Sequence, residues 1–203
     1  MGRWQPDAQG RLAQAAMELF VQSGYETTTV AQIAERAGLT ERTFFRYFAD
    51  KREVLFGGSQ LLATAMTEAL EATPPSAAPH EQVTAALHAA GDLIPDRAHA
   101  RARQDLLDTH PELQERELIK LARLSAVLAG ALQQRGVAPL VAKVAAESGT
   151  AVFRVAFAQW VSARRGTLRQ AIDDALAAQA QLWESDRLGV AASRREAARS
   201  GKG

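Results

Sequence analysis

Apolar residues in this chain recur at intervals of three and four positions, which is the spacing of one face of an α-helix. The alternation of apolar and polar residues that marks a strand is missing. The first apolar run predicts a helix over residues 7–23, followed by Gly24 at a position where glycine favours helix termination. The buried face of this helix would comprise Leu12, Ala15, Ala16, Leu19 and Phe20.

A second, shorter helix is predicted by its start and stop signals. Thr29 and Gln32 have the spacing of a capping box, in which each side chain accepts a hydrogen bond from the other residue's backbone. Gly38 ends the helix after about two turns, because glycine adopts a left-handed conformation without steric penalty. Thr40 can then cap a third helix over residues 41–48.

The third helix, within the stretch LTERTFFRYF, separates aromatic from basic positions. Phe44 and Phe48 are four residues apart and would face inward. Arg42, Thr43, Arg46 and Tyr47 would then lie on the outer surface. Two short helices joined by a glycine turn fit a DNA-binding helix-turn-helix, and they fit an inert helical hairpin with solvated arginines equally well.

The remaining sequence predicts a larger helical body, with about nine helices in the whole chain. Gly57 and Gly58 interrupt the predicted fourth helix, either because another helix approaches closely or because the chain needs a pliable joint there. TPPSAAP, residues 73–79, reads as a loop. The predicted helices beyond the third cover residues 51–72, 80–93, 96–107, 111–135, 138–165 and 167–187.

Composition narrows the classes of function. Alanine contributes 42 of 203 residues, which favours helix. Cysteine is absent, so disulfides, thiolate metal sites and thiol nucleophiles are excluded. The four histidines (His80, His88, His99, His110) show no metal-ligand spacing, and neither a metal nor a cofactor is expected. No apolar stretch reaches membrane-spanning length and no signal peptide is recognisable, so we expect a cytoplasmic protein without a membrane partner.

The charge of the chain gives little indication of a nucleic-acid partner. The formal net charge is +1, and residues 1–52 carry seven Lys/Arg against six Asp/Glu. DNA binding would therefore depend on the placement of a few cations rather than on bulk charge.

The segment GYETTTVAQIAERAGLTERTFFRYFADKREVL, residues 24–55, strongly resembles the N-terminal domain of the TetR family of bacterial transcriptional repressors. The resemblance rests on short motifs at fixed spacing and covers about a quarter of the chain. These motifs are Gly24-Tyr25, Thr28-Thr29-Val30, Ile33-Ala34, Ala37-Gly38-Leu39, Thr43-Phe44, Tyr47-Phe48 and Lys51.

The resemblance implies a role in DNA binding for eight residues. Thr29, Thr43, Tyr47 and Lys51 match family positions that contact backbone phosphates. The positions that read the major groove are Glu41, Arg42, Phe45 and Arg46. Phe45 stands where many members have tyrosine, so an apolar contact with a thymine methyl is expected there. Lys51 is also expected in the first turn of the fourth helix, where the helix dipole favours an anion.

The resemblance also implies a division of the chain and a homodimer. We expect a DNA-binding domain over residues 1–50, a ligand-binding and dimerisation domain over 51–187, and a disordered basic tail over 188–203. The last two helices would form the dimer interface, although their apolar stripes also fit a monomer core. The interface residues predicted on these helices are Phe153, Phe157, Trp160, Val161, Leu168, Ile172 and Leu176.

The predicted function is a homodimeric repressor that binds an inverted-repeat DNA operator and is released by a small-molecule effector. The ligand-binding residues cannot be assigned, and His88, His99, Arg103 and Arg154 are only candidate polar groups for a pocket. One rival is a DNA-binding regulator without an inducer, whose pocket is filled by side chains. The other is an all-α enzyme, against which stands the absence of any nucleophile-base spacing, so no catalytic residue is expected.

Overall fold

The computed structural model describes residues 7–182, and every regular element in that range is helical, which confirms the predicted all-α fold. A short 3-10 helix, Glu53–Phe56, lies between the third and fourth α-helices. Residues 168–182 form the last described helix, α9. The others are α1 Ala8–Ser23, α2 Val30–Arg36, α3 Glu41–Tyr47, α4 Ser59–Glu71, α5 Pro79–Asp92, α6 Arg97–Thr109, α7 Pro111–Gln134 and α8 Pro139–Ser162.

The first three helices begin and end where the sequence predicts. Asp7 caps α1 by accepting a hydrogen bond from the amide of Gly10 at 2.8 Å. Both halves of the capping box between Thr29 and Gln32 are present at the start of α2. Gly38 has φ +64°, a left-handed conformation that lets the chain turn sharply from α2 into α3.

The fourth helix begins later than predicted. Asp50 accepts hydrogen bonds from the amides of Arg52 and Glu53, but the turn that follows is the 3-10 helix, and α4 starts at Ser59. Gly57 is tightly packed, since a Cβ there would lie 3.0 Å from the Phe48 ring. A Cβ on Gly58 would meet nothing within 4 Å. Close approach therefore explains Gly57 and leaves Gly58 without a packing reason.

The buried apolar side chains form two clusters rather than one. We call residues 7–56 the head and residues 59–182 the body. The head core contains Leu12, Phe20, Ile33 and Phe44, and it extends through the 3-10 helix to Phe56. The predicted domain boundary at residue 50 falls inside this core.

The corner between α6 and α7 belongs to the head core although its residues are in the body. Leu107 and Leu113 are buried among head side chains. The His110 ring packs edge-on against Tyr25, with ring centroids 4.8 Å apart. The α6–α7 corner is thus in direct packing contact with the head.

The body core is built by α4, α5, α7, α8 and α9. Small residues allow its helices to approach closely: a Cβ on Gly149 of α8 would clash with Val83 of α5. In the same way, a Cβ on Gly91 of α5 would lie 3.1 Å from Ile172 of α9. Both close approaches place α5 between α8 and α9.

The side chains predicted to form the dimer interface lie in this body core instead. Trp160 is only 3% exposed in the single chain, and Ile172 is completely buried. These apolar stripes of α8 and α9 face neighbouring helices of the same chain, as the monomer-core alternative expects, and a dimer contact by these residues stays a prediction. The buried residues are Phe153, Trp160, Val161, Leu168 and Ile172, with Phe157 and Leu176 partly buried against them.

The predicted basic tail over residues 188–203 lies outside the described residues, as does the end of the helix predicted over 167–187. None of the helices between residues 7 and 182 combines the length and apolarity needed to cross a bilayer.

Candidate nucleic-acid interface

The exposed face of α3 carries most of the predicted DNA-binding side chains. Phe44 is fully buried and Phe48 nearly so, and together they anchor the helix on the head core. The i, i+4 spacing of these two rings turns the other side of the helix towards solvent. The residues exposed on that side are Glu41, Arg42, Phe45, Arg46 and Tyr47.

Of the two arginines on α3, Arg42 is the one more available to a ligand. It makes no hydrogen bond or ion pair with any residue in the described part of the chain. Arg46, by contrast, donates to the hydroxyl of Tyr47 at 3.1 Å and lies 4.8 Å from the centroid of that ring. Because the hydroxyl accepts this bond, its own hydrogen remains free to donate to a phosphate oxygen.

Phe45 is unusual for an exposed position. Its side chain is 55% exposed, next to the fully buried Phe44 and with the two rings nearly perpendicular. An exposed phenyl ring between two arginines offers apolar surface that a thymine methyl could cover.

The two threonines predicted to contact phosphates both take part in helix caps. The Thr29 hydroxyl accepts the amide of Gln32 at 3.2 Å, and Thr29 remains exposed at the start of α2. The Thr43 hydroxyl lies 3.0 Å from that of Thr40, the residue that caps α3. These bonds fix the Thr29 hydroxyl at the start of α2 and the Thr43 hydroxyl in the first turn of α3.

Lys51 has a different place from the one predicted. It precedes the 3-10 helix instead of opening α4. Its ammonium donates to the carbonyls of Tyr25, Glu26 and Thr28, at 2.8, 3.1 and 3.3 Å. These bonds use all three hydrogens of the ammonium, so Lys51 stabilises the loop before α2. The predicted contact of Lys51 with a DNA phosphate stays a prediction.

Burial and charge act together on Tyr25 beneath this lysine. The ring is 4% exposed, with the Lys51 ammonium 4.5 Å from its centroid. Burial, reinforced by the carboxylate of Glu112, raises the pKa of the Tyr25 phenol to about 12. The residue is therefore a neutral packing element that joins the head, Lys51 and the α6–α7 corner.

Comparison with known proteins identifies the head. Residues 12–56 match the family model described as bacterial regulatory proteins, tetR family. This segment, less than half of the chain, is thus similar to the DNA-binding domain of the TetR family. The matched segment coincides with the head core and includes the whole of α2 and α3.

Individual TetR-family relatives resemble the chain to different extents. It is 42% identical over 79 residues to the HTH-type transcriptional regulator TcmR of Streptomyces glaucescens, a match covering 39% of this chain and 35% of that protein. The chain thus matches only about a third of the length of this curated relative.

Solved structures of TetR-type regulators share the fold over most of the chain. FadR from Bacillus subtilis, in complex with stearoyl-CoA, has a TM-score of 0.56 and 20% identity, covering 83% of this chain and 95% of that one. FadR from Thermus thermophilus, a repressor in complex with lauroyl-CoA, has a TM-score of 0.50 and 24% identity, covering 83% and 91%. At this identity the likeness establishes the fold.

A cavity of about 830 Å³ occupies the position between the head and the helices α4, α6, α7 and α8. Of the candidate polar groups, His99, Arg103 and Arg154 line it. His88 does not, since its Nε2 lies 2.6 Å from Asp173 and its ring thereby joins α5 to α9.

Three cations surround Phe56 at one end of this cavity. Arg103, Arg116 and Lys120 have their charged groups 5.1, 5.9 and 5.7 Å from the ring centroid. Two carboxylates balance them: Glu53 pairs with Arg116, and Glu117 accepts from Arg103 at 2.6 Å. We call these six side chains the Phe56 cluster.

Glu117 and Lys120, which lie on α7 in this cluster, have pKa values that are perturbed for different reasons. Burial opposes ionisation of Glu117, but Arg103 and Lys120 together hold its pKa below the ordinary value. Burial, assisted by the charge of Arg103, lowers the pKa of Lys120 to about 8. The nearest Glu117 oxygen is as far as 3.9 Å from the Lys120 ammonium, and Glu117 is already paired with Arg103. Lys120 is therefore the cation of the cluster with the weakest counterion.

The sequence did not identify this cluster because its members come from three separate segments. Arg103 was a candidate pocket residue, whereas Arg116, Glu117 and Lys120 were not singled out. Their spacing on α7 resembles that of an ordinary solvated helix face. Among residues 7–182, no three His, Cys, Asp or Glu side chains are grouped as metal ligands would be.

Proposed function

We propose that this protein is a sequence-specific DNA-binding transcriptional regulator that inserts α3 into the major groove. The observation that carries the proposal is the division of α3 into a buried face, Phe44 and Phe48, and an exposed face with the unpaired Arg42. A guanidinium held on a short helix can donate two hydrogen bonds to guanine O6 and N7. Arg46 and Tyr47 lie beside it, where phosphates flank the groove.

We further propose that the active form is a homodimer that binds an inverted repeat. A helix-turn-helix dimer reads two half-sites about 34–36 Å apart, which requires a rigid two-fold body. Support comes from a row of exposed apolar residues on α8, opposite its buried stripe. Its members are Leu140, Val144, Ala151 and Val155.

Control by a small-molecule effector completes the proposal. The cavity of about 830 Å³ lies in the size range of ligand pockets and directly behind the head. This open space argues against the rival regulator whose pocket is filled by side chains. An effector that binds better to a body conformation incompatible with two adjacent grooves would release the operator by population shift.

Selection of bound sequences from a random duplex pool, using folded full-length protein, tests the proposed function. The expected result is an enriched inverted repeat with equivalent half-sites on the same side of the duplex. Binding should weaken as salt rises, with a slope of about 0.9 log units for each phosphate neutralised. If no sequence is enriched while the protein is folded, the proposal is wrong.

A further inference from the structure

The cavity has the polarity expected of a site for an amphipathic molecule. Its mouth is formed partly by the exposed leucines Leu61 and Leu118, which are 63% and 58% exposed. Phe153 and Phe157 line it on α8. Arg103, Glu117 and Lys120 line the wall next to the head, and the lining elsewhere also includes Asp105, Asp108 and Arg154. An occupant would therefore place an apolar part against α4 and α8 and a polar group against α6 and α7.

The charge balance at the polar end favours an anion. The Phe56 cluster contains three cations and two carboxylates, and each carboxylate already belongs to an arginine. Lys120 is the cation left over, with its nearest carboxylate oxygen at 3.9 Å. A partly buried ammonium without a close counterion is costly, and a ligand carboxylate would reduce that cost.

Arg103 connects this polar end to the head. Its Nε donates to the carbonyl of Leu55 at 2.8 Å, and its Nη2 donates to Glu117 at 2.6 Å. Leu55 belongs to the head core and lies just before Gly57. A single guanidinium thus holds together α6, α7 and the last turn of the head.

We propose that the effector is an apolar carboxylate and that its carboxylate binds between Lys120 and Arg103. There it draws the Arg103 guanidinium towards the cavity and away from the Leu55 carbonyl, to which its Nε donates. Because the Leu55 carbonyl loses its partner, the head is less firmly held against α6 and its orientation changes. This inference rests on the proposed function, since it names the ligand class for the cavity of a DNA-binding regulator.

The first test measures binding without DNA. Decanoate and 1-naphthoate represent aliphatic and aromatic carboxylates, and decan-1-ol and 1-naphthalenemethanol are their neutral controls. At about 100 times its dissociation constant, a bound acid should raise the melting temperature by roughly 5 °C, and the matched alcohol by much less. Which of the two acids acts identifies the type of apolar body. Equal shifts for acid and alcohol, or no shift with either acid, overturn the proposal.

Two variants locate the carboxylate. Lys120→Met keeps the apolar stem and removes the charge, so it should weaken binding of the acid about tenfold or more. Arg123→Met is the matched control, because Arg123 is an exposed cation one turn further along α7 that does not line the cavity. The proposal fails if the two variants bind the acid equally well.

Arg103→Lys tests the link to the head. Lysine keeps the positive charge but, as a point charge without the guanidinium fork, does not hold the Leu55 carbonyl and Glu117 in the same fixed geometry. The variant should still bind the selected operator. Saturating acid reduces the operator affinity of each protein by some factor, and this factor should be at least about tenfold smaller for the variant than for the wild type. An undiminished response would refute the role of Arg103. If the wild type binds no operator at all, the proposed function has failed. The changes in melting temperature with acid and alcohol would still show whether the cavity binds an apolar carboxylate.

Discussion

At the scale of single residues, position on the head decides the role of each cation. Arg42 is exposed on α3 and has no partner among residues 7–182, whereas Lys51 donates all three of its hydrogens to backbone carbonyls of the loop before α2. In the sequence, Arg42 and Lys51 both belong to the segment that resembles a DNA-binding domain. The structure separates a side chain free to read bases from one that stabilises the reading element.

Lys51→Ala should destabilise the protein by about 1–3 kcal/mol, because three carbonyls lose their donor and Tyr25 loses a cation over its ring. Thermal unfolding monitored by circular dichroism would measure the loss. Arg52→Ala is the matched control. Within the described residues, Arg52 pairs with the partly exposed Asp50 two positions before it, and its loss should change stability by less than about 1 kcal/mol. A cost for Lys51→Ala no greater than that of the control would contradict the internal role.

At the scale of helices, local signals predicted most boundaries but could not choose between two faces. Capping residues such as Thr29 and Asp50 act over three or four positions, so the sequence alone reveals them. Helix α8 carries two apolar stripes on opposite sides, one through Phe153 and Trp160 and the other through Val144 and Val155. Periodicity does not tell which stripe packs within the chain, because that depends on α5 and α9.

Substitutions on the two faces of α8 should therefore affect different properties, the stability of the single chain on one face and dimer formation on the other. Trp160→Ala is expected to lower stability by about 3–5 kcal/mol, since it leaves a cavity in the body core. Val144→Asp should leave the melting temperature of the monomer nearly unchanged and raise the dimer dissociation constant at least about tenfold. Analytical ultracentrifugation over a range of concentrations measures the second effect. A Val144→Asp protein that dimerises like the wild type would exclude the exposed stripe as the interface.

The glycine pair between the head and α4 gives a second comparison. Gly57→Ala should cost about 1–3 kcal/mol, because its Cβ would press on the Phe48 ring. Gly58→Ala should be neutral or stabilising by up to about 1 kcal/mol, since φ is −81° and the space around it is open. Chemical denaturation measures both. Equal losses at the two positions would show that Gly58 also has a packing role.

At the scale of the whole molecule, head and body are joined through the α6–α7 corner and the Phe56 cluster. Neither was predictable from sequence patterns, because Leu113 and Lys120 meet head residues far away along the chain. The predicted sequence of helices was nevertheless close to the observed one. Short-range rules therefore reached the fold class and the α3 face, while long-range packing determined the interior of the body and the polar end of the cavity.

The buried Lys120 should make stability depend on pH in an alkaline window. Its pKa is lowered to about 8 in the folded protein from 10.5, so the unfolded chain binds more protons between these values. The free energy of unfolding of the wild type should thus rise, relative to Lys120→Met, by about 1–3 kcal/mol between pH 8 and pH 10.5. Denaturant unfolding of both proteins across this range provides the measurement. A constant difference would contradict the burial of this charge.

A comparison of the DNA sequences selected by the wild type and by Arg42→Ala tests the claim that the exposed face of α3 reads DNA. The wild type should enrich an inverted repeat. Arg42→Ala should retain the two-fold symmetry but lose preference at one base pair in each half-site, at a cost of about 1–3 kcal/mol per contact. Identical selected sequences for the two proteins would contradict the claim.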